Sequence, residues 1–92
     1  MSYQESANEL PDEVKDMHRA IESLKEELEA VDWYNQRANV CKDEELKAIL
    51  VHNRDEEKEH ASMIMEWIRR NDTSFEKEMK DYLFSDKKIA HK

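Results

Sequence analysis

Two long stretches of this chain repeat at alternating steps of three and four residues, and this repeat constrains the fold most strongly. No glycine interrupts either stretch. A repeat of this period places its members along one side of an α-helix, so each stretch is predicted to form one long helix. The members of the first repeat are Val14, Met17, Ile21, Leu24, Leu28, Val31, Asn35 and Ala38, and those of the second are Leu46, Leu50, Asn53, Glu57, His60, Ile64 and Trp67.

Helix-boundary signals divide the chain into three helices. Pro11 opens the first helix, Asn39 is expected to leave it in a left-handed conformation, and Asp43 is expected to cap the second. Thr73 begins a capping-box pattern that predicts a short third helix. The short connection makes the two long helices antiparallel neighbours. The predicted organisation is one domain, 1–92, with a mobile arm at 1–10, helices at 11–40, 43–71 and 73–84, and a polar tail at 85–92.

Length and charge limit the partners of this chain. Its 92 residues offer little material for a thick core, so we expect a homo-oligomer. A net charge of -8 argues against a nucleic-acid partner and favours cations near acidic clusters. The single cysteine excludes an intramolecular disulfide and is compatible with a reducing cytoplasm. Neither a signal-peptide pattern nor an apolar run of about 18 residues occurs, so we expect a soluble protein with no membrane partner.

Two ionisable residues, Glu57 and His60, interrupt the second repeat at its centre. Burying an unpaired charge is costly, so such groups persist inside proteins when they are paired or bound to a metal. An inward-facing Glu-x-x-His aims two ligands at one point, as in di-iron and di-manganese bundles. Counted from the turn near Cys41, Glu27, Glu57 and His60 lie at heights of about 21, 24 and 28 Å. An antiparallel hairpin therefore brings these three residues to about the same level.

One Glu plus one Glu-x-x-His is half of the ligand set of a ferritin-like four-helix bundle. Two chains complete the set, which predicts a homodimer whose four helices enclose two metal ions. Glu57 is then the expected bridging carboxylate, and each His60 is a terminal nitrogen ligand. Carboxylate and imidazole ligands suit iron or manganese, and zinc also accepts these ligand types.

Three segments, 26–34, 52–60 and 66–72, closely resemble the encapsulated ferritins, and the resemblance extends over about residues 14–84. It implies an antiparallel two-helix protomer, a ferroxidase centre at a dimer interface and a ring-shaped decamer. It further implies residence inside an encapsulin nanocompartment, where the protein oxidises Fe(II) and the shell stores the mineral. Members carry a C-terminal targeting peptide with small and apolar residues, and the segment 87–92 departs from that pattern.

The resemblance also implies roles for particular residues. The positions are Glu27, Glu57 and His60 for the ferroxidase ligands, Glu26 and Glu29 for a secondary acidic metal site, and Trp33 and Tyr34 beside these sites.

Simpler interpretations accompany each of these roles. Glu57 and His60 are also compatible with a buried ion pair or an interface hydrogen bond, and Glu26 and Glu29 are typical of a solvated helix surface. Tyr34 and its aromatic neighbour are compatible with ordinary packing. Three functions follow from these readings: a ferroxidase, a non-catalytic iron-binding or delivery module, and a structural helical adaptor whose polar residues enforce register.

Overall fold

The structure is a computed structural model that describes residues 3–90 of the chain. Helix α1 spans Asp12–Val40, α2 spans Glu44–Asn71 and α3 spans Thr73–Tyr82, and a short 3-10 helix, Ala7–Glu9, precedes them. No strand occurs in the described range. The predicted all-α class, with two long helices and a short C-terminal one, is confirmed.

The turn between α1 and α2 agrees with the predicted cap but differs from the predicted helix end. Asp43 accepts a hydrogen bond from the backbone N–H of Leu46 at 2.9 Å, as an N-cap residue does. The prediction that Asn39 leaves α1 in a left-handed conformation is wrong. Asn39 stays helical, with its side-chain amide donating to the Asn35 carbonyl at 2.8 Å, and the helix ends at an extended Cys41.

The boundaries of α3 also differ from the prediction. Asp72, not Thr73, is the N-cap, because its carboxylate accepts a hydrogen bond from the Phe75 N–H at 2.9 Å. The helix ends at Tyr82, two residues before the predicted end. Phe84 adopts a positive φ of 56°, a backbone conformation that cannot continue a right-handed helix.

Two contacts define the relative direction of α1 and α2. Asn35 of α1 contacts Arg54 of α2, and Glu27 of α1 lies beside His60 of α2. From the first contact to the second, the residue number decreases on α1 and increases on α2, so the two helices are antiparallel. The predicted hairpin is confirmed.

The core between these helices is thin. The fully buried apolar residues of the described chain are Ala38, Ala61 and Ile68. Leu46 and Trp67, at the two ends of the predicted repeat on α2, are both exposed in the single chain. Two helices can cover only one stripe of each other, and on α2 that stripe runs through Ala61 and Ile68, beside the predicted line.

A cluster of charged side chains joins α2 to α3. Arg69 donates to both carboxylate oxygens of Glu66 at 2.7 and 2.6 Å and to Glu76 of α3 at 3.2 Å. Arg70 also donates to Glu66, and Lys80 pairs with Glu76. The hydrogen bonds from Arg69 and Arg70 lower the pKa of Glu66 to about 2.

The chain ends lie outside the three helices. In the predicted arm, the Tyr3 ring contacts the His18 ring at a centroid distance of 4.8 Å. Residues 1 and 2 of that arm, and residues 91 and 92 of the predicted tail, lie outside the described residues. None of the helices in the described range combines the length and apolar character needed to cross a membrane.

Candidate metal centre

The structure brings the three predicted ligands of the main site together. Glu27 comes from the middle of α1, and Glu57 and His60 come from one face of α2. One potential ligand atom of each lies within 4.8 Å of the other two. This convergence follows from the i, i+3 spacing on α2 and from the antiparallel packing that sets Glu27 opposite.

One nitrogen of His60 faces both carboxylates. Its Nδ1 lies 3.4 Å from Oε2 of Glu57 and 3.5 Å from Oε2 of Glu27. Both separations are longer than an ordinary hydrogen bond. A cation held by the two oxygens and the nitrogen would occupy this space, and its positive charge would offset the repulsion between the carboxylates.

Burial supports the same conclusion. The side chains of Glu27, Glu57 and His60 are 25%, 23% and 42% exposed, so the group is shielded but open on one side. Oε2 of Glu27 is fully covered and has no hydrogen-bond partner among the described residues. Its neighbour at 3.5 Å, Nδ1 of His60, is too far away to satisfy it. Buried carboxylate oxygens normally have a hydrogen-bond or ionic partner. This oxygen is therefore suited to bind a cation.

The open side of the group faces a groove of about 760 Å³ between α1 and α2. Its walls beside Glu27 and His60 include Met63, Ile64 and Trp67 of α2. Met63 and Trp67 are exposed in the single chain. The acidic and imidazole group therefore lies in an apolar face that one protomer leaves uncovered.

The residues predicted for a secondary acidic site lie apart from this group. Glu26 and Glu29 are exposed on α1. Within residues 3–90, Glu27, Glu57 and His60 form the one group of three or more side chains suited to a metal ion. A site that uses Glu26 and Glu29 would thus need further ligands from outside the described chain.

The aromatic residues near these acids contact an arginine. The guanidinium of Arg37 lies 6.0 Å from the ring centre of Trp33 and 5.3 Å from that of Tyr34. Both distances are typical of cation–π contacts. Tyr34 is half-buried and Trp33 is exposed. Both rings therefore pack against Arg37 in the protomer. Their roles beside a metal stay predictions.

Comparison with known proteins identifies the family. Residues 2–86 match the family described as EncFtn-like, and the chain belongs to this family. It is 56% identical over 81 residues to the encapsulated ferritin-like protein of Rhodospirillum rubrum, which covers 88% of this chain and 58% of that protein. The chain thus spans little more than half the length of that relative. It is also 52% identical over 88 residues to a ferritin-like protein of Thermotoga maritima, covering 96% of this chain and 77% of that protein.

A solved structure agrees closely with the fold. The crystal structure of protein ne0167 from Nitrosomonas europaea is 70% identical in sequence and superposes with a TM-score of 0.94. The match covers 99% of this chain and all of that one. The resemblance to encapsulated ferritins that the sequence motifs carried is confirmed.

Sequence reasoning missed one contact near the site. The repeat on α2 contains Asn53, yet Arg54, the next residue, makes the contact across the hairpin to Asn35. A signal for this contact was present, since Asn35 is a polar residue in an otherwise apolar repeat.

Proposed function

We propose that this protein is a ferroxidase, which oxidises Fe(II) to Fe(III) with dioxygen at a two-iron site built by two copies of the chain. The observation that carries this proposal is the convergence of Glu27, Glu57 and His60 within 4.8 Å. Membership of the EncFtn-like family gives it independent support.

A second copy is required because one chain supplies only half of a di-iron ligand set. The ferritin-like set is a Glu from each of two helices plus a Glu-x-x-His from each of the other two, and this chain provides one of each. The uncovered face around the group supports the same conclusion. Met63 and Trp67, which line the groove beside His60, are 59% and 39% exposed. A two-fold related chain seated there would bury this apolar surface and bring the two half-sites together.

Fe(II) is the substrate of the proposed reaction. Each of two Fe(II) ions loses one electron, and one dioxygen molecule accepts both, which with two protons gives hydrogen peroxide. Glu27 and Glu57 supply the oxygen ligands and His60 the nitrogen ligand, and carboxylates favour the more highly charged Fe(III) product. The protein fixes the distance between the two ions and leaves positions open on the groove side for dioxygen.

Two further roles belong to the proposal. Glu26 and Glu29 form a secondary acidic site with residues of another chain and draw cations toward the centre, which their exposure and the net charge of -8 support. The protein assembles into a ring-shaped decamer that resides in an encapsulin compartment, where the iron is stored. Support for that residence comes from the name of the Rhodospirillum rubrum relative, an encapsulated ferritin-like protein.

The test adds Fe(II) to the anaerobic protein and then admits air, while near-ultraviolet absorbance follows the Fe(III) formed. We expect rapid growth of absorbance in the wild type and its loss in Glu57→Gln and His60→Ala. Glu59→Gln is the matched control, because Glu59 is an exposed acid on the same helix and the charge change is the same.

Each other outcome rejects the proposal in a defined way. Binding of Fe(II) without growth of absorbance indicates a delivery module, and no binding indicates a structural adaptor. A wild-type oxidation rate in Glu57→Gln would show that the ligand assignment is wrong.

A further inference from the structure

A charged hydrogen bond crosses the hairpin about one helical turn from the proposed centre. Nη1 of Arg54 donates to Oδ1 of Asn35 at 3.1 Å. We propose that Arg54 is a positioning residue for the metal centre: through Asn35 it holds α1 and α2 in the axial register that sets Glu27 level with Glu57. This inference rests on the proposed function, because it concerns the same group of ligands.

The fully buried contacts between the helices do little to fix this register. Two of the three fully buried apolar residues, Ala38 and Ala61, are alanines. Large side chains that interlock resist sliding of one helix along another, whereas a methyl group presents little to interlock. Alanine lets the helices approach closely but leaves their axial position weakly determined.

Arg54 lies where it can fix the axial register that the alanines leave weakly determined. It lies seven residues before Ala61 and fourteen before Ile68, so it belongs to the same heptad line as these two buried residues. Its side chain is only 23% exposed. Of these three positions on α2, the two farther from the turn thus carry apolar residues and the one nearer the turn carries a guanidinium.

The contacts of Arg54 hold it in a defined direction. Its Nε donates to Oδ1 of Asp55 at 3.2 Å, and Asp55 lies 3.5 Å from Nζ of Lys58. On α1, the backbone carbonyl oxygen of Asn35 accepts a hydrogen bond from the side-chain amide of Asn39. The planar guanidinium is therefore oriented by one helix while it bonds to the other.

Small shifts of register matter at this site. A slide of one residue moves a helix by about 1.5 Å along its axis. The separations of His60 from Glu27 and Glu57 are 3.5 and 3.4 Å. A slide of this size changes the first separation by about 0.3 Å if it is perpendicular to the contact, and by more if it is oblique, while it leaves the second unchanged. Metal–ligand distances tolerate only about 0.2 Å. The ligand on α1 is thus the one that depends on the link between the helices.

Binding of Co(II) to the full chain under anaerobic conditions tests this role, because Co(II) occupies such sites without being oxidised and its visible spectrum reports ligand geometry. We expect Arg54→Met and Asn35→Leu each to raise the Kd for Co(II) about tenfold, the lower end of the effect of residues that orient ligands. Both are expected to alter the visible spectrum. The double variant should be no worse than either single variant, since both remove one bond.

Matched variants separate the link from general effects of charge and stability. Arg54→Lys keeps a donor and is expected to recover part of the affinity. Arg70→Met removes an arginine whose partner, Glu66, lies on its own helix, and is expected to bind Co(II) like the wild type. Asp55→Ala removes the other partner of Arg54 and is expected to have a smaller effect than Asn35→Leu.

Two results would overturn the inference: an Arg54→Met protein with the wild-type Kd and spectrum, or an Arg70→Met protein impaired as strongly as Arg54→Met. If Arg54→Met fails to fold, Asn35→Leu decides the matter alone, because Asn35 is exposed. Failure of the proposed function is recognised separately, as wild-type protein that binds Co(II) at the Glu57-dependent site but does not oxidise Fe(II).

Discussion

Truncation of Met63 is the most direct test of whether a second chain covers the metal face. Met63 lines the groove beside His60 and is 59% exposed in the protomer. Complete burial of a methionine side chain is worth about 1.5–3 kcal/mol, so more than half of that remains to be gained on association. Met63→Ala therefore removes about 1 kcal/mol per chain. A two-fold interface contains two copies, which gives about 2 kcal/mol and a roughly 30-fold weaker dimer.

Sedimentation equilibrium over a range of protein concentrations measures this dissociation constant. The control is Val40→Ala, which shortens an even more exposed side chain at the turn end of α1, about 20 Å along the helix from Glu27. We expect Val40→Ala to dimerise like the wild type at this interface. If Met63→Ala and the wild type associate equally strongly, the groove face beside His60 is not where the second chain packs, and the two-chain site must be abandoned.

Three further predictions concern the protomer itself. Ile68→Ala is expected to lower the free energy of unfolding in urea by about 2–4 kcal/mol, because Ile68 is the largest fully buried side chain, and a loss below about 1 kcal/mol would contradict this. Asp72→Ala is expected to lower the free energy of unfolding by about 1 kcal/mol, because it removes the cap of α3. Relative to the wild type, amide hydrogen exchange should accelerate more in α3 than in α1. Glu66 has a pKa lowered from 4.5 to about 2, so its contribution to stability is complete above pH 4.5 and is lost as the pH falls through 2. The difference in unfolding free energy between wild type and Glu66→Gln should therefore be constant above about pH 5 and shrink toward pH 2. A difference that grows on acidification would contradict this prediction.

The fold and the main ligand group were predictable from the sequence because both follow from helical periodicity. The spacing of Glu57 and His60 places them on one face of any regular helix. The short turn after Cys41 makes the next helix antiparallel, and counting residues on either side of it sets Glu27 at the same height. The helix ends were less predictable. Asp72 and Thr73 are both good caps, and only the backbone conformation decides between them.

The sequence by itself determined that two long helices form and that three ligand-type side chains meet at one level, since helical rise and period depend on the chain alone. Only the tertiary structure decided which stripe of α2 faces α1, because rotation about the helix axis depends on the neighbour. That rotation buries Ala61 and Ile68, leaves Trp67 exposed, and turns Arg54 toward Asn35. It also covers one oxygen of Glu27, which finds no hydrogen-bond partner within residues 3–90.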